Sequence, residues 1–323
     1  MQIFDSGKVY NFMSKKLLFF AISSVLMIGS VFLLTTRGLN YGIDFAGGTL
    51  IQIRYDKPAP LDEIRAKFDT NEILKNASVT EFGSDEEIVI RYSGSSDNIG
   101  SNPAAVVSEL LSDTGNFEVR RVDVVGPKVG SELRQKGIMA LSVSLVLILA
   151  YIAFRFEWRF AIAAILGEVH DVLIALGFIS LLRIDVNLDT LAAILTIIGY
   201  SLNDTIIIFD RIREGIRVSK SNEVNRVINE SVSATLSRTT MTSVTTLLTV
   251  LTLFFFGGDM IHGFSSIMLV GIIIGTFSSI FISAPMLVWF KFDIPKYRVH
   301  LSEIEKRKKE KEKIRAMYEK GTV

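Results

Sequence analysis

Apolar and polar positions fall into blocks along this chain. Six blocks, at about 16–36, 137–154, 160–182, 188–209, 237–256 and 264–290, are apolar enough to cross hydrocarbon, which takes roughly 20 residues of helix. Between the first and second the period changes. Residues 49–55 read as a strand, and Pro60 opens a helix with Leu61, Ile64 and Phe68 at helical spacing. Strand patterns at 78–82 and 88–92 flank a turn at 83–86, a polar Gly/Ser/Asn loop leads to a second helix at about 103–111, and a last strand covers 117–125. The order β-α-β-β-α-β is the ferredoxin-like arrangement. The predicted fold is a polytopic α-helical membrane protein: six transmembrane helices with one ferredoxin-like α+β extracytoplasmic domain between the first and second. Such a domain hosts many functions and decides none.

Charge orients the chain. With 35 basic and 34 acidic residues the sum says little, but the charges are segregated. Lys8, Lys15 and Lys16 precede the first block, Arg155 and Arg159 separate the second from the third, and Arg211, Arg213, Arg217, Lys220 and Arg226 separate the fourth from the fifth. The 257–263 turn has no Lys or Arg, and the 183–187 turn has only Arg183, beside Asp185. By the positive-inside rule, residues 1–15 are a cytoplasmic N-terminus, 16–36 the first span and 37–135 the extracytoplasmic domain. Residues 136–290 are a five-helix bundle, and 291–323 a charged cytoplasmic tail. Partial amphipathic spacing at 210–236 predicts a connector helix lying on the cytoplasmic membrane surface. The expected location is the plasma (inner) membrane, multi-pass, with both termini cytoplasmic. The first block is longer than a signal-peptide core and lacks a small-x-small site before Arg37, so it reads as a retained anchor.

The chain has no cysteine, which excludes disulfides and thiol catalysis. Its three histidines, at 170, 262 and 300, form no metal-binding spacing. No metal, cofactor or nucleic acid is expected, and no catalytic constellation points to an enzyme. The chemistry lies inside the spans. Asp204 sits in Gly199-Tyr200-Ser201-Leu202-Asn203-Asp204-Thr205. A carboxylate there is costly and usually faces a protein interior or watery cavity where ions or protons move. Asn203 and Thr205 flank it with hydrogen-bonding groups, and Gly199 and Ser201 invite close helix approach. Arg238 opens the fifth span from the same face, where it either pairs with Asp204 as a proton-coupling couple or snorkels to the interface. Glu168, His170 and Asp171 form a third-span cluster, either a polar relay or a structural network. The fifth span is rich in hydroxyls, suited to packing or a wetted channel. Two glycine-rich runs flank the domain. The first holds Gly42, Asp44, Gly47 and Gly48, and the second Gly126, Pro127 and Gly130. They read as hinges or coupling motifs, or as a plain turn and linker.

Together, Gly42–Gly48, the 125–133 run, His170-Asp171, the 199–205 motif with its exit Phe209-Asp210-Arg211-Ile212-Arg213-Glu214, residues 238–246 and the 271–285 region resemble the SecF family. Its members are the smaller membrane subunits of the SecD–SecF accessory complexes of protein-export translocases. The resemblance covers nearly the whole chain; the tail beyond about 300 matches nothing. It implies half of an RND-type bundle, completed by a SecD partner. It also implies action beside the SecYEG channel, with YajC and YidC as further neighbours, on unfolded preprotein, powered by the proton-motive force. The matching positions for proton coupling are Asp204 and Arg238. Two rivals remain: a proton-coupled small-molecule exporter of the RND type, which six spans and one modest domain argue against, and a structural assembly subunit without ion coupling.

Overall fold

A computed structural model describes residues 8–71, 74–75, 77–92, 102–219 and 221–319; the predicted polar loop lies almost wholly outside these. After a 3-10 turn at Met13–Lys15, α1 (Lys16–Thr36) is the first apolar helix. A two-residue strand β1 (Asn40–Tyr41) and a one-turn helix α2 (Ile43–Ala46) lead into the domain. It consists of β2 (Gly48–Tyr55), α3 (Leu61–Thr70), β3 (Ser78–Phe82), β4 (Ser84–Tyr92), α4 (Pro103–Leu110) and β5 (Phe117–Val125). The antiparallel sheet runs β3-β4-β2-β5, the ferredoxin-like order with the first and third domain strands central. Each helix starts where local chemistry dictates. Pro60 stands at the N-cap of α3, while Asn102 accepts from Ala105 N ahead of Pro103 in α4. The inward faces of α3 and α4 bury Ile64, Phe68 and Val107 against Ile51, Ile53, Ile88 and Ile90 of the sheet. The turn between β3 and β4 is tighter than the predicted four residues: Gly83 alone makes it, at φ 73°.

The remaining helices form the bundle: α5 (Pro127–Arg155), α6 (Trp158–Leu182), α7 (Leu188–Val218), α8 (Val224–Phe256) and α9 (Asp259–Ser278). The last continues through a π segment (Ser279–Ser283) into α10 (Ala284–Trp289). Among the described residues six helices are long and apolar enough to cross a membrane. Helices α6, α7 and α9–α10 are central, with 56, 50 and 61% of their apolar windows buried, against 11% for α1 and α5 and 17% for α8. Those three peripheral helices turn apolar faces away from the chain.

Two boundaries depart from the sequence reading. The connector at 210–236 is no separate surface helix. Instead α7 and α8 each extend past the apolar block and meet at a short break near Ser219–Glu223. Ile212 and Ile216 of α7 pack there with Val227, Ile228 and Val232 of α8, so the amphipathic spacing serves helix–helix packing. Arg298, from α11 (Ile294–Glu319), pins this break by donating to the carbonyls of Ile216, Ser219 and Ser221 at 2.7, 2.6 and 2.9 Å. Likewise α5 begins at Pro127, ten residues before the predicted 137, and so rises directly out of β5.

Candidate functional site

Three central helices bring their polar side chains together. Asp171 of α6, 1% exposed, is the hub. Its Oδ1 lies 2.8 Å from His170 Nδ1, and its Oδ2 accepts from Ser201 of α7 at 2.5 Å and from Ser278 of α9 at 2.7 Å. The close seam between α7 and α9 permits this: a Cβ on Gly275 would lie 2.9 Å from Ser201 Cβ. Ser278 immediately precedes the π segment, whose extra residue lets the chain reach Pro285 without a clash in the hydrogen-bond ladder. A buried carboxylate is stable when donors saturate it, and Asp171 meets that condition.

Asp204 does not. It lies on α7 one turn beyond Ser201 and is 1% exposed, and its Oδ2 has no hydrogen-bond partner. Its polar neighbours on α8 are Ser243 and Arg238. The Ser243 hydroxyl also lies 2.7 Å from Thr276 Oγ1 and 2.8 Å from Thr239 O. Arg238 is exposed, and among the described residues no Asp204–Arg238 ion pair falls within 4.0 Å. Thr205 is buried while Asn203 points outward from the bundle. Gly199 makes no close helix contact, since a Cβ there would meet nothing within 4 Å; Ser201 supplies the close approach instead. Glu168 is 6% exposed with both oxygens unpartnered, and His170 Nε2 is buried and unpartnered as well. Along α8, the hydroxyls of Thr242, Thr245, Thr246, Thr249 and Thr252 turn back onto carbonyls of their own helix.

The glycine-rich runs pack on each other. Gly47, at φ +74°, and Gly130 meet face to face. A Cβ on Gly130 would lie 2.7 Å from Gly47 N, and one on Gly47 would lie 2.8 Å from Pro127 Cα. Gly126 is extended and caps α5, with Pro127 at its first turn. Gly48 begins β2 opposite Val125. Gly42 caps α2 and donates to Val186 O at 3.1 Å. Phe45 of α2 is buried with Ala175, Ile179 and Val186 in the bundle core.

Asp44 reaches furthest. Its Oδ2 accepts from Leu188 N, the first amide of α7, at 3.1 Å, where the helix's own Asn187 provides no side-chain cap. Beside it β1 pairs in parallel with β6 (Asp185–Val186). Asp185 takes a 2.6 Å ion pair from Arg91 of β4 and a hydrogen bond from Asn40. The end of α7 opposite its Arg-rich exit is therefore held at Asp44 of α2 and, through Asp185, at Arg91 of the ferredoxin-like domain.

Ser278, Thr276 and the Arg91–Asp185 link join the candidate site although the sequence reading did not single them out. Paired serines inside an apolar span ahead of Ser283-Ala284-Pro285 were the signal for the first. Nothing local marked Arg91.

A six-helix membrane protein with a ferredoxin-like domain after its first helix and a carboxyl–hydroxyl cluster across its central helices is the class these features define. Residues 106–293 match the family description "Protein export membrane protein SecD/SecF, C-terminal", and residues 32–59 match the "SecD/SecF GG Motif". The chain is 43% identical over 323 residues to the protein translocase subunit SecF of Helicobacter pylori, covering 100% of both. It is 42% identical over 307 residues to that of Vibrio alginolyticus, covering 94% of this chain and 96% of that one. The crystal structure of SecDF from Thermus thermophilus superposes with a TM-score of 0.82 at 35% identity, over 90% of this chain and 40% of that one. SecDF in a super-membrane-facing form gives 0.66 at 35% identity, over 95% and 41%. The chain thus spans about two fifths of the solved SecDF chains. It belongs to the SecD/SecF family of protein-export membrane proteins.

Proposed function

We propose that this chain is the SecF-type half of an accessory unit of the Sec translocase, seated in the plasma membrane with both termini cytoplasmic. A SecD-type partner completes its bundle. The pair uses the proton-motive force to promote late movement of unfolded preprotein emerging from a SecYEG-type channel, with YajC and YidC as further neighbours. The carrying observation is Asp204: a carboxyl buried in the bundle, one oxygen unpartnered, beside an arginine with which it forms no ion pair. Proton arrival or departure at such a group changes whether Arg238 is drawn inward. One charge moved through 100 mV is worth about 2.3 kcal/mol, enough to bias a two-state element.

The lever is α7. Asp204 lies about 24 Å along it from Leu188 at 1.5 Å per residue, and Leu188 is where Asp44 and the domain take hold. A second route runs through α5, which starts at Gly126-Pro127 and leans on Gly47. Asp171, with its donors in place, supports the reading as the fixed point between α6, α7 and α9 about which α7 shifts.

The test is export of a signal-peptide reporter into inverted vesicles carrying wild type or Asp204→Asn at matched protein level, with the gradient intact or collapsed. The wild type is expected to slow on collapse, and Asp204→Asn to be slow throughout and indifferent to the gradient. Equal responses from both would remove Asp204 from the coupling role.

A further inference from the structure

Ser243 of α8 has one hydroxyl proton and several acceptors around it. It lies beside Asp204 of α7, 2.8 Å from the carbonyl of Thr239 on its own helix and 2.7 Å from Thr276 Oγ1 of α9. Thr276 faces a similar choice: its hydroxyl proton goes to Ser243 Oγ or to the carbonyl of Ile272, 2.8 Å away. Hydroxyls in apolar helices commonly turn to the carbonyl one turn back. Here each has an alternative across a helix seam. The two choices are linked, because a hydroxyl oxygen that donates to one neighbour still accepts from another. Ser243 is buried, where the surroundings weaken such a bond little.

We propose that Thr276 is a positioning residue for Asp204, acting through Ser243. With Asp204 ionised, the Ser243 proton points to the carboxylate and the Thr276 proton points to Ser243. A chain of two hydrogen bonds then joins α7, α8 and α9. With Asp204 protonated, Ser243 turns to the Thr239 carbonyl, Thr276 turns to the Ile272 carbonyl, and the α8–α9 link is released. Bonds in such a chain polarise one another, so the Thr276 hydroxyl favours the ionised acid without carrying charge. The inference rests on the coupling role proposed for Asp204, and it adds α9 to the helices that respond to it. The same helix donates to Asp171 from Ser278, two residues on. Other charges around Asp204 are few. From α8 comes Arg238, and from α6 come Glu168, His170 and Asp171, gathered near Ser201. On α7 itself stand Tyr200 and Asp210, the latter paired with Arg155 of α5. Between His262 and Lys291 the chain has no titratable side chain, so α9 acts on Asp204 through hydroxyls alone.

The test reads the Asp204 carboxyl directly. The full chain, carrying isotope-labelled aspartate and reconstituted in lipid, is titrated by infrared difference spectroscopy. The part of the protonated-carboxyl band missing from Asp204→Asn belongs to Asp204. Thr276→Val, close in shape but without the hydroxyl, is expected to move its midpoint up by about half a unit to one unit, the worth of one net hydrogen bond. Thr276→Ser keeps the hydroxyl and should titrate like wild type; Thr276→Ala replaces the valine variant if that one does not fold. Export at matched protein level should respond less to gradient collapse in Thr276→Val and recover in Thr276→Ser. A Thr276→Val midpoint at the wild-type value overturns the proposal. So does a Thr276→Ser midpoint displaced as far as that of Thr276→Val, since packing would then be the cause. The spectroscopic arm is separate from export. If Asp204→Asn kept a normal gradient response while Thr276→Val still moved the midpoint, the coupling role would fall and the hydroxyl link would stand.

Discussion

Asp171 and Asp204 are both buried aspartates on central helices, yet the fold treats them oppositely. Asp171 gathers His170, Ser201 and Ser278, whereas Asp204 keeps an oxygen without a partner. A hydrogen bond to a charged group is worth about 1.5–3 kcal/mol, so the first aspartate behaves as a fastener between three helices. Ser278→Ala should therefore destabilise the bundle by about that amount, seen as a lower detergent-unfolding midpoint, while gradient-dependent export at matched protein level persists. If Ser278→Ala uncoupled export with its stability unchanged, Asp171 would be part of the proton path and not a fastener. Both acids were legible in the sequence, because ionisable residues inside apolar blocks stand out. Their partners were not: Ser201 is thirty positions from Asp171 and Ser278 more than a hundred, and serines in apolar spans usually bond back to their own helix.

At the scale of elements, the glycine-rich runs show how backbone proximity is enforced. Gly47 and Gly130 touch so closely that neither has room for a side chain, so α2 and the first turn of α5 pack as one block. Gly130→Ala is expected to cost about 1–3 kcal/mol through overpacking, measured as lower protein level and earlier thermal unfolding. Gly126→Ala, where a Cβ meets nothing within 4 Å, is the mild comparison; if the two variants behaved alike, the contact would not matter. The sequence reading located both runs but left hinge and turn as equals. Neither description is complete, because Phe45 buries α2 in the bundle. Amphipathic spacing at 210–236 misled for a related reason: apolar positions look the same whether they face lipid or the neighbouring helix.

For the whole molecule, the decisive join is between the ferredoxin-like domain and α7. A side chain from outside the helix accepts from its first amide, and Arg91 holds the preceding strand by an ion pair whose Asp185 side chain is 12% exposed. Loss of an N-cap costs about 0.5–2 kcal/mol, small beside the stability of a membrane bundle but directly on the proposed transmission route. Asp44→Ala should lower reporter export and blunt its response to the gradient at unchanged protein level, while Asp44→Asn, which keeps an acceptor, retains most of both. Normal gradient-driven export by Asp44→Ala would leave α5 as the transmission route.

The sequence by itself determined the six spans, the β-α-β-β-α-β domain and the acids at 168, 171 and 204, because these depend on local period and on the cost of charge in hydrocarbon. Only the tertiary structure decided that Asp171 is saturated and Asp204 is not, that both Glu168 oxygens are buried without a hydrogen-bond partner, and that Asp44 and Arg91 grip the start of α7. Each of those depends on atoms brought together from distant parts of the chain, where hydrogen-bond geometry and steric fit act over a few ångströms and leave no trace in neighbouring residues.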